Sequence, residues 1–418
     1  MDSAHLSRWR RDLHQAPEAA WCEYRTTSLI ARHLSDLGLT ITLGDELLSA
    51  PHVMGRDIDV AREKARALHQ GADPHWLESI GELTGVMGEL NTGRPGPVLA
   101  FRFDMDAVEV GESPQETHFP VKEGFVSRNQ GWMHACGHDG HVAMGLALAS
   151  RLASEREQLC GRIKFLFQPA EEGCRGGKAL AASGSLDDVD ALLTLHLGIH
   201  AQSGELVINP TDFLCSTKFD LHFLGTASHA GLEPNAGANA LAAACMATTA
   251  LLGIPRHRDG MTRINIGQLN AGSGRNVIPD LAILRGETRG ASSALNDYMF
   301  AHVQHIAEGC ARAHGVDFHI IKQGEAIGLT NSATLLPALT QLAAELGLTV
   351  IGERPFGASE DAGFLLEQVQ SHGGEAAYLV LGANLTAPHH HACFDFDEAV
   401  LERGVTLLER WAQARLRS

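Results

Sequence analysis

Met133-His134-Ala135-Cys136-Gly137-His138-Asp139-Gly140-His141 places one thiol and three imidazoles in a single short run, with glycines that let the backbone turn tightly. His and Cys share one strong chemical talent, the binding of transition metals, and core packing does not require such a cluster. Further candidate ligands follow at strand-like intervals: Gln168-Pro169-Ala170-Glu171-Glu172-Gly173, then Leu195-His196-Leu197-Gly198, then the late run His389-His390-His391. The segments around them are apolar. Val98 to Phe103 reads as a nearly continuous apolar strand, and Arg162 to Phe167, Ala191 to Leu197 and Ala376 to Leu381 read as further strands. Helical segments separate them, beginning with an apolar helix over Val142 to Leu152. Strands alternating with helices predict an α/β fold: a mixed, mostly parallel sheet flanked by helices, with the candidate ligands in loops just past strand ends.

Toward the N-terminus, residues 3–38 read as a helix, a break at His14-Gln15-Ala16-Pro17-Glu18, and a second helix over Thr26 to Leu37 that Gly38 stops. Residues 46–82 read as an insertion, with a charged, Ala-rich helix over Asp57 to Gln70 and another restarted by Asp73-Pro74. A solvated decoration is the expectation there; a cover over the site or an assembly contact is the alternative. Thr84 to Leu90 is a predicted strand. Residues 213–327 change character. Lys218 to Leu224 alternates, with Phe219, Leu221 and Phe223 on one face. A helix over Asn235 to Leu252, strands over Met261 to Gln268 and Leu281 to Thr288, an amphipathic helix over Ser293 to His314 and a strand over Val316 to Lys322 complete a β-α-β-β-α-β order. That order predicts an α+β split-βαβ domain at 213–327, inserted in a catalytic domain made of 1–212 and 328–418.

The net charge of -17 argues against nucleic acid or an anionic membrane as partner. An anionic substrate would have to be held by local basic residues. The eight cysteines are scattered along a long chain, which suits reduced thiols in the cytoplasm rather than a disulfide scaffold. The N-terminal residues run into a helical pattern without an apolar signal core, and no apolar run approaches the roughly 18 residues needed to span a bilayer.

The runs HACGHDGH and FQPAEEG, the isolated His196, the segment Ser228 to Ala240 (SHAGLEPNAGANA), RNVIPD over Arg275 to Asp280, and the closing His-x-x-x-Phe-x-x-Asp-Glu pattern are similar, in order and spacing, to the M20 metallopeptidase family. The aminoacylase and amidohydrolase branch is the nearer match, and the resemblance covers nearly the whole chain. It implies a dinuclear site with two divalent ions per subunit, zinc or manganese foremost. Its ligands would be Cys136, His138, Glu172, His196 and one histidine of the 389–391 run. The spacing to Phe394 and Asp397-Glu398 selects His390, but His391-Ala392 stands where this branch commonly has Ser-Pro, so the choice among the three stays open. A thiolate and a carboxylate supply negative charge to the cations, and neutral imidazoles complete their shells.

The resemblance also makes Glu171 the general base that takes a proton from the attacking water and passes it to the leaving nitrogen. Asp106 would orient a ligand or steady that base, with loop capping as the plain alternative for Asp104 and Asp106. Asp139 and His141 are expected only to cap the following helix, and His134 is undecided. The inserted domain would serve as a lid and dimerisation domain. Its His229 would reach the partner's site to steady an oxyanion, while Asn276 and Arg289 grip the substrate carboxylate. Arg175 and Lys178, with Lys218 beside them, are candidate cations for an acidic leaving group; Gly357 and Glu360-Asp361 belong to a site-wall segment. The implied reaction is hydrolysis of an N-acyl amino acid with an aromatic acyl group, p-aminobenzoyl-glutamate foremost, with indoleacetyl-aspartate-type hydrolysis an alternative. A broader N-acyl amino-acid deacylase or dipeptidase is the alternative within enzymes, and an inactive metal-binding partner chain the alternative outside them. The expected assembly is a homodimer, or a heteromer with a related chain.

Overall fold

The computed structural model describes residues 3–417. In chain order the strands are β1 Thr40–Leu43, β2 Val86–Asn91, β3 Val98–Asp104, β4 Arg162–Gln168, β5 Ala191–Leu197, β6 Glu205–Thr211, β7 Cys215–Leu224, β8 Thr262–Ala271, β9 Leu281–Gly290, β10 Asp317–Ala326, β11 Thr349–Pro355 and β12 Glu375–Leu381. The longer helices are α1 Ser3–Gln15, α2 Tyr24–Asp36, α3 Val60–His69, α4 Pro74–Ser79, α5 His138–Ser154, α6 Ala240–Leu252, α7 Ser293–His314, α8 Leu336–Glu345, α9 Gly363–Ser371 and α10 Ala399–Leu416. They divide into two compact units, one of residues 1–211, 329–356 and 361–418, the other of 212–328 and 357–360.

The first unit holds an eight-stranded sheet in the order β1-β2-β4-β3-β5-β12-β6-β11. Its centre is parallel: β3 pairs with β4 and β5, and β5 with β12. Antiparallel β1, β2 and β6 make the sheet mixed. Strand β3 is buried along its whole length, as its apolar run requires. Helix α5 is almost wholly buried against it. At Gly145 a Cβ would lie 2.7 Å from atoms of Phe103 and Phe167, so only glycine permits this approach of helix to sheet. Strands β1, β6 and β11 are additions to the sequence-based reading. β1 is four residues long, while β6 and β11 carry Pro210, Pro355, Glu353 and Arg354, which mask their pattern.

The insertion corrects the expectation of a solvated decoration. Tyr24, Ala67, Ala72, Leu77 and Ile80 close a small apolar core between it and α2. Arg66 pairs with the buried Glu18 at 2.9 Å, and the Trp21 indole N–H donates to the Met54 carbonyl at 2.8 Å. The charges on the outer faces of α3 and α4 concealed a narrow apolar stripe.

The second unit is an antiparallel sheet in the order β10-β7-β9-β8, with α6 and α7 packed on it. Phe219, Leu221 and Phe223 of β7 point into one core with the alanines of α6 and with Met299 and Val303 of α7. The β-α-β-β-α-β order is the one expected from the sequence. Helix α6 starts at Ala240, capped by the Asn239 side chain on the Ala242 N–H, because Pro234 to Ala236 forms a separate 3₁₀ turn.

Candidate metal centre and active site

The candidate ligands of the first unit come from four chain segments. Gly137 takes a left-handed φ of 90° and turns the metal run into α5, so the helix begins at His138, four residues before the expected Val142. Glu171 and Glu172 follow β4, His196 is the last residue but one of β5, and His390 belongs to the loop before α10. That loop is pinned to the metal run by the bond from the His390 N–H to the Ala135 carbonyl, 2.8 Å.

Cys136, His138 and His196 bring ligand atoms within 4.8 Å of one another, and so do Cys136, Glu172 and His390. His138 and His196 are each oriented from behind by a backbone carbonyl. His138 Nδ1 faces the Asp106 carbonyl at 2.9 Å and must donate to it, which leaves Nε2 as the outward nitrogen. His196 Nδ1 donates likewise to the Leu197 carbonyl at 2.9 Å, and its Nε2 lies 3.5 Å from the Cys136 sulfur. His390 Nε2 is 3.3 Å from Glu172 Oε1. His138 Nε2 is buried and has no hydrogen-bond partner, and the equally buried Glu172 Oε1 meets only another candidate ligand, His390. An unsatisfied buried imidazole nitrogen converging with a thiol, a carboxylate and two more imidazoles fits a transition-metal centre, and the donor set is right for it.

Of the three histidines of the late run, only His390 falls in a group of candidate ligand atoms among the described residues. His389 donates from Nε2 to the Leu197 carbonyl at 3.1 Å and packs on Phe394, while His391 Nδ1 accepts the Cys393 N–H at 3.0 Å.

The charge balance of the donor set is visible in its proton affinities. Burial would lower His138, but Asp104 and Cys136 outweigh it and raise His138 well above the usual imidazole range. His390 is pushed up to about 10 by its hydrogen bonds to Cys136 and Glu172. Burial and the neighbouring His141 and His389 hold His196 well below its ordinary value. Glu172 is lowered despite burial, by His390 and His138.

Asp106 holds the two glutamates by their backbone: Oδ1 accepts the Glu171 N–H at 3.0 Å and Oδ2 the Glu172 N–H at 2.9 Å. Glu171 is buried, with Oε2 4.0 Å from His138 Nε2. The capping role expected for His141 and Asp139 is corrected. His141 Nδ1 bonds Asp104 at 2.5 Å and its Nε2 accepts the Leu197 N–H at 3.1 Å, so it ties the ends of β3 and β5 to α5 and has no nitrogen left for a metal. Asp139 caps only its neighbour's N–H; its main partners are Arg10 at 2.9 Å and His14 at 2.7 Å, in a fully buried cluster that fastens α1. His134 is buried with neither ring nitrogen bonded, and burial holds it at about 3, as a neutral ring.

A network missed by the sequence reading backs Asp104. Arg102 Nη1 pairs with Asp104 at 2.7 Å and its Nη2 with Asp361 at 3.3 Å; Asp361 also accepts from Gln168 at 2.8 Å and from the Gly177 N–H at 2.7 Å. The signal was Arg102 itself, a charge inside a strand buried on both faces, which must have partners there.

Arg175 is half-buried and gives a hydrogen bond to the Gly55 carbonyl at 3.3 Å; Lys178 sits 5.4 Å from the Phe364 ring centre. In the second unit His229 is exposed, and its Nδ1 accepts the N–H groups of Gly231 and Leu232 at 3.1 Å, which leaves Nε2 to carry the proton of the neutral ring. Asn276 is exposed and its carbonyl accepts the Ala230 N–H. Arg289 pairs with Glu287 at 2.9 Å, Lys218 lies opposite Glu287 in the β7–β9 ladder, and Gly357 takes a φ of 74°.

The α/β core, with its thiol, imidazoles and paired glutamates at the strand ends, defines a class of metal-dependent amide hydrolases. Residues 100–414 match the model of Peptidase family M20/M25/M40, and the chain belongs to that family. It is 45% identical over 414 residues to one component chain of the p-aminobenzoyl-glutamate hydrolase of Escherichia coli (strain K12), covering 97% of this chain and 95% of the relative. It is 43% identical over 410 residues to indole-3-acetyl-aspartic acid hydrolase of Enterobacter agglomerans, with 96% and 94% covered. Among solved structures, the aminobenzoyl-glutamate utilization protein of Klebsiella pneumoniae superposes with a TM-score of 0.83 at 37% identity, over 98% of this chain and 95% of that one. A dinuclear metal-binding M20 peptidase of Bacillus subtilis gives a TM-score of 0.66 at 26% identity, over 98% of each chain. The chain is thus an amidohydrolase that works with divalent metal.

Proposed function

We propose that the substrate is an N-acyl amino acid with an aromatic acyl group and an acidic amino-acid half, p-aminobenzoyl-glutamate foremost. The observation that carries the reading is the convergence of His138 Nε2, buried without a hydrogen-bond partner, with Cys136, Glu172, His196 and His390 beside the carboxylate of Glu171. Cys136, His138, Glu172, His196 and His390 would hold two divalent ions. Cysteine among the donors favours zinc, with manganese the alternative. Bound there, the ions would polarise the amide carbonyl and acidify water. Glu171 takes a proton from the attacking water and returns it to the amide nitrogen as the C–N bond breaks. Asp106 holds Glu171 and Glu172 in place by their N–H groups.

For the substrate, Arg175 is the proposed partner of the acidic side chain, with Lys178 a second candidate cation and the Gly357 segment a candidate wall. His229 is proposed to donate from Nε2 to the developing oxyanion, and Asn276 and Arg289 to grip the α-carboxylate. The family resemblance supports an assembly in which His229 serves a neighbouring protomer, either a second copy or a related chain. Among the described residues no helix is long and apolar enough to cross a membrane, and none of the eight cysteines is joined in a disulfide, which suits a reducing cytoplasm.

The test is hydrolysis of p-aminobenzoyl-glutamate, p-aminobenzoyl-glycine and N-acetyl-methionine by zinc- or manganese-loaded protein, with Glu171→Gln as the blank. A strong preference for the glutamate conjugate, abolished in the blank, is expected. Equal rates on all three would make the enzyme a broad deacylase. No turnover with metal bound would sink the reading or require a second, related chain.

A further inference from the structure

Glu23 occupies the N-cap position of α2, yet its side chain makes no cap for that helix. The carboxyl is fully buried and turned to the segment that carries the candidate base. Its Oε1 accepts the Ala170 N–H at 2.8 Å, and its Oε2 bonds the Thr84 hydroxyl at 2.6 Å. Ala170 is itself unusual. It stands at a φ of 55°, a left-handed conformation that disfavours a residue with a Cβ, and it is completely buried. The left-handed turn makes Ala170 the pivot of the segment. Its carbonyl accepts the N–H groups of Arg175 at 3.1 Å and Gly176 at 2.8 Å, while the two following N–H groups point to Asp106. Pro169, just before it, is seated on Gly85, where a Cβ would come within 2.8 Å of the proline ring.

We infer that Glu23 is a positioning residue for the catalytic turn: by holding the Ala170 N–H it keeps Ala170 left-handed, and so aims Glu171 and Glu172. The inference rests on the reading of Glu171 as base and Glu172 as ligand. Burial and the nearby Asp106 charge push Glu23 up to about 8, so near neutral pH it carries a proton and its work is that of a neutral hydrogen-bonding group. A glutamine has the same shape and the same acceptor.

The experiment compares Glu23→Gln with Glu23→Met, which fills the space without an acceptor, each with and without Ala170→Gly. Readouts are kcat, KM, bound metal, and the ligand-field spectrum of cobalt-substituted protein. Glu23→Met is expected to lower kcat about 100-fold at nearly unchanged KM and to alter the cobalt spectrum, because a small displacement of reacting groups has that scale of effect. Glu23→Gln should stay close to the parent. Ala170→Gly should restore about tenfold in the Glu23→Met background, since glycine adopts the left-handed turn without the tether. An unaltered kcat in Glu23→Met, or equal damage in both variants with no relief from glycine, would overturn the inference. If Glu23→Met does not fold, Thr84→Val removes only the hydroxyl that orients the carboxyl; a kcat loss relieved by Ala170→Gly is then expected, and no loss overturns the inference. If the parent hydrolyses no N-acyl amino acid, the functional reading fails by itself, and the cobalt spectrum decides the role of Glu23: no change between parent and Glu23→Met overturns it.

Discussion

Asp106 grips Glu171 through a single hydrogen bond, from the Glu171 backbone N–H to Oδ1 at 3.0 Å, and spends its other oxygen on the next N–H, that of Glu172, at 2.9 Å. One carboxylate thus sets the backbone of both the candidate base and the candidate ligand. An amide cannot do this, because it presents one acceptor and one donor group. In Asp106→Asn the amide NH₂ must face one of the two N–H groups, leaving a buried donor unsatisfied at a cost of about 1–3 kcal/mol. We expect kcat to fall about 100-fold with metal retained, since the loss is one of aim. Steady-state kinetics alongside metal analysis checks this; parental kcat in the variant would remove Asp106 from the machinery.

Loading the site should release protons. Without metal, His390 is raised to about 10 by Cys136 and Glu172, and His138 is raised well above its usual value by Asp104 and Cys136 in spite of burial. His390 is therefore protonated at neutral pH in the ion-free protein, and coordination requires it neutral. Protons and cations compete, so metal affinity falls as pH falls. Titration calorimetry in two buffers of different ionisation enthalpy should show protons released on binding at pH 7. Buffer-independent heats would sink both the proton balance and the place of His390 among the ligands.

The Arg10–Asp139–His14 cluster makes a prediction about stability alone. Arg10 is fully buried against Asp139 at 2.9 Å and Asp395 at 2.6 Å. Asp139→Asn removes one carboxylate from a buried guanidinium that keeps Asp395, and takes a charged acceptor from His14, so it should cost about 1.5–3 kcal/mol. Burial opposes the ionised form of Asp139, but Arg10 and His14 outweigh it and lower its pKa. Its contribution is thus present above the ordinary carboxylate pKa and lost as pH falls through the depressed one. His14 is raised, because Asp139 and Glu112 outweigh burial and Arg10, so its contribution is full below the ordinary imidazole pKa and lost as pH rises through the raised value. Thermal unfolding against pH should therefore lose its alkaline-side decline in His14→Gln. An unchanged profile would show that His14 does not titrate with folding.

The metal run, the Glu-Glu pair and the strands before them were legible because each forces its own chemistry: clustered Cys and His exceed any packing need, and strand β3 is apolar enough to demand burial. The order of the second unit was legible from the alternation of Phe219, Leu221 and Phe223. What escaped depends on partners distant in the chain. Asp139 reads locally as a cap, and only the fold brings Arg10 to it, 129 residues away. Glu23 lies just ahead of the helix expected from Thr26 and gives no local sign of a role, because its target, Ala170, lies 147 residues on. The docking of the insertion was hidden for the same reason, since Trp21 and Glu18 carry its anchors.

Arg175 is the proposed reader of an acidic substrate side chain. Its backbone N–H bonds the Ala170 carbonyl at 3.1 Å, which fixes it to the same turn as the glutamates. The guanidinium gives one hydrogen bond, to the Gly55 carbonyl at 3.3 Å, and among the described residues no carboxylate pairs with it. A half-buried guanidinium without a counter-charge, in a chain of net charge -17, is poised for an anion from outside. A charge-assisted hydrogen bond contributes about 1.5–3 kcal/mol. Arg175→Ala should therefore lower kcat/KM for p-aminobenzoyl-glutamate by about 10- to 100-fold, while the glycine conjugate, which lacks the side-chain carboxylate, changes by less than about threefold. Arg175→Lys should recover part of the loss, keeping the charge without the planar fork. The insertion enters here as well: the Gly55 carbonyl orients the guanidinium, and the Trp21 indole holds the neighbouring Met54 carbonyl at 2.8 Å. Equal losses on both conjugates would show that Arg175 supports the turn instead of reading the substrate.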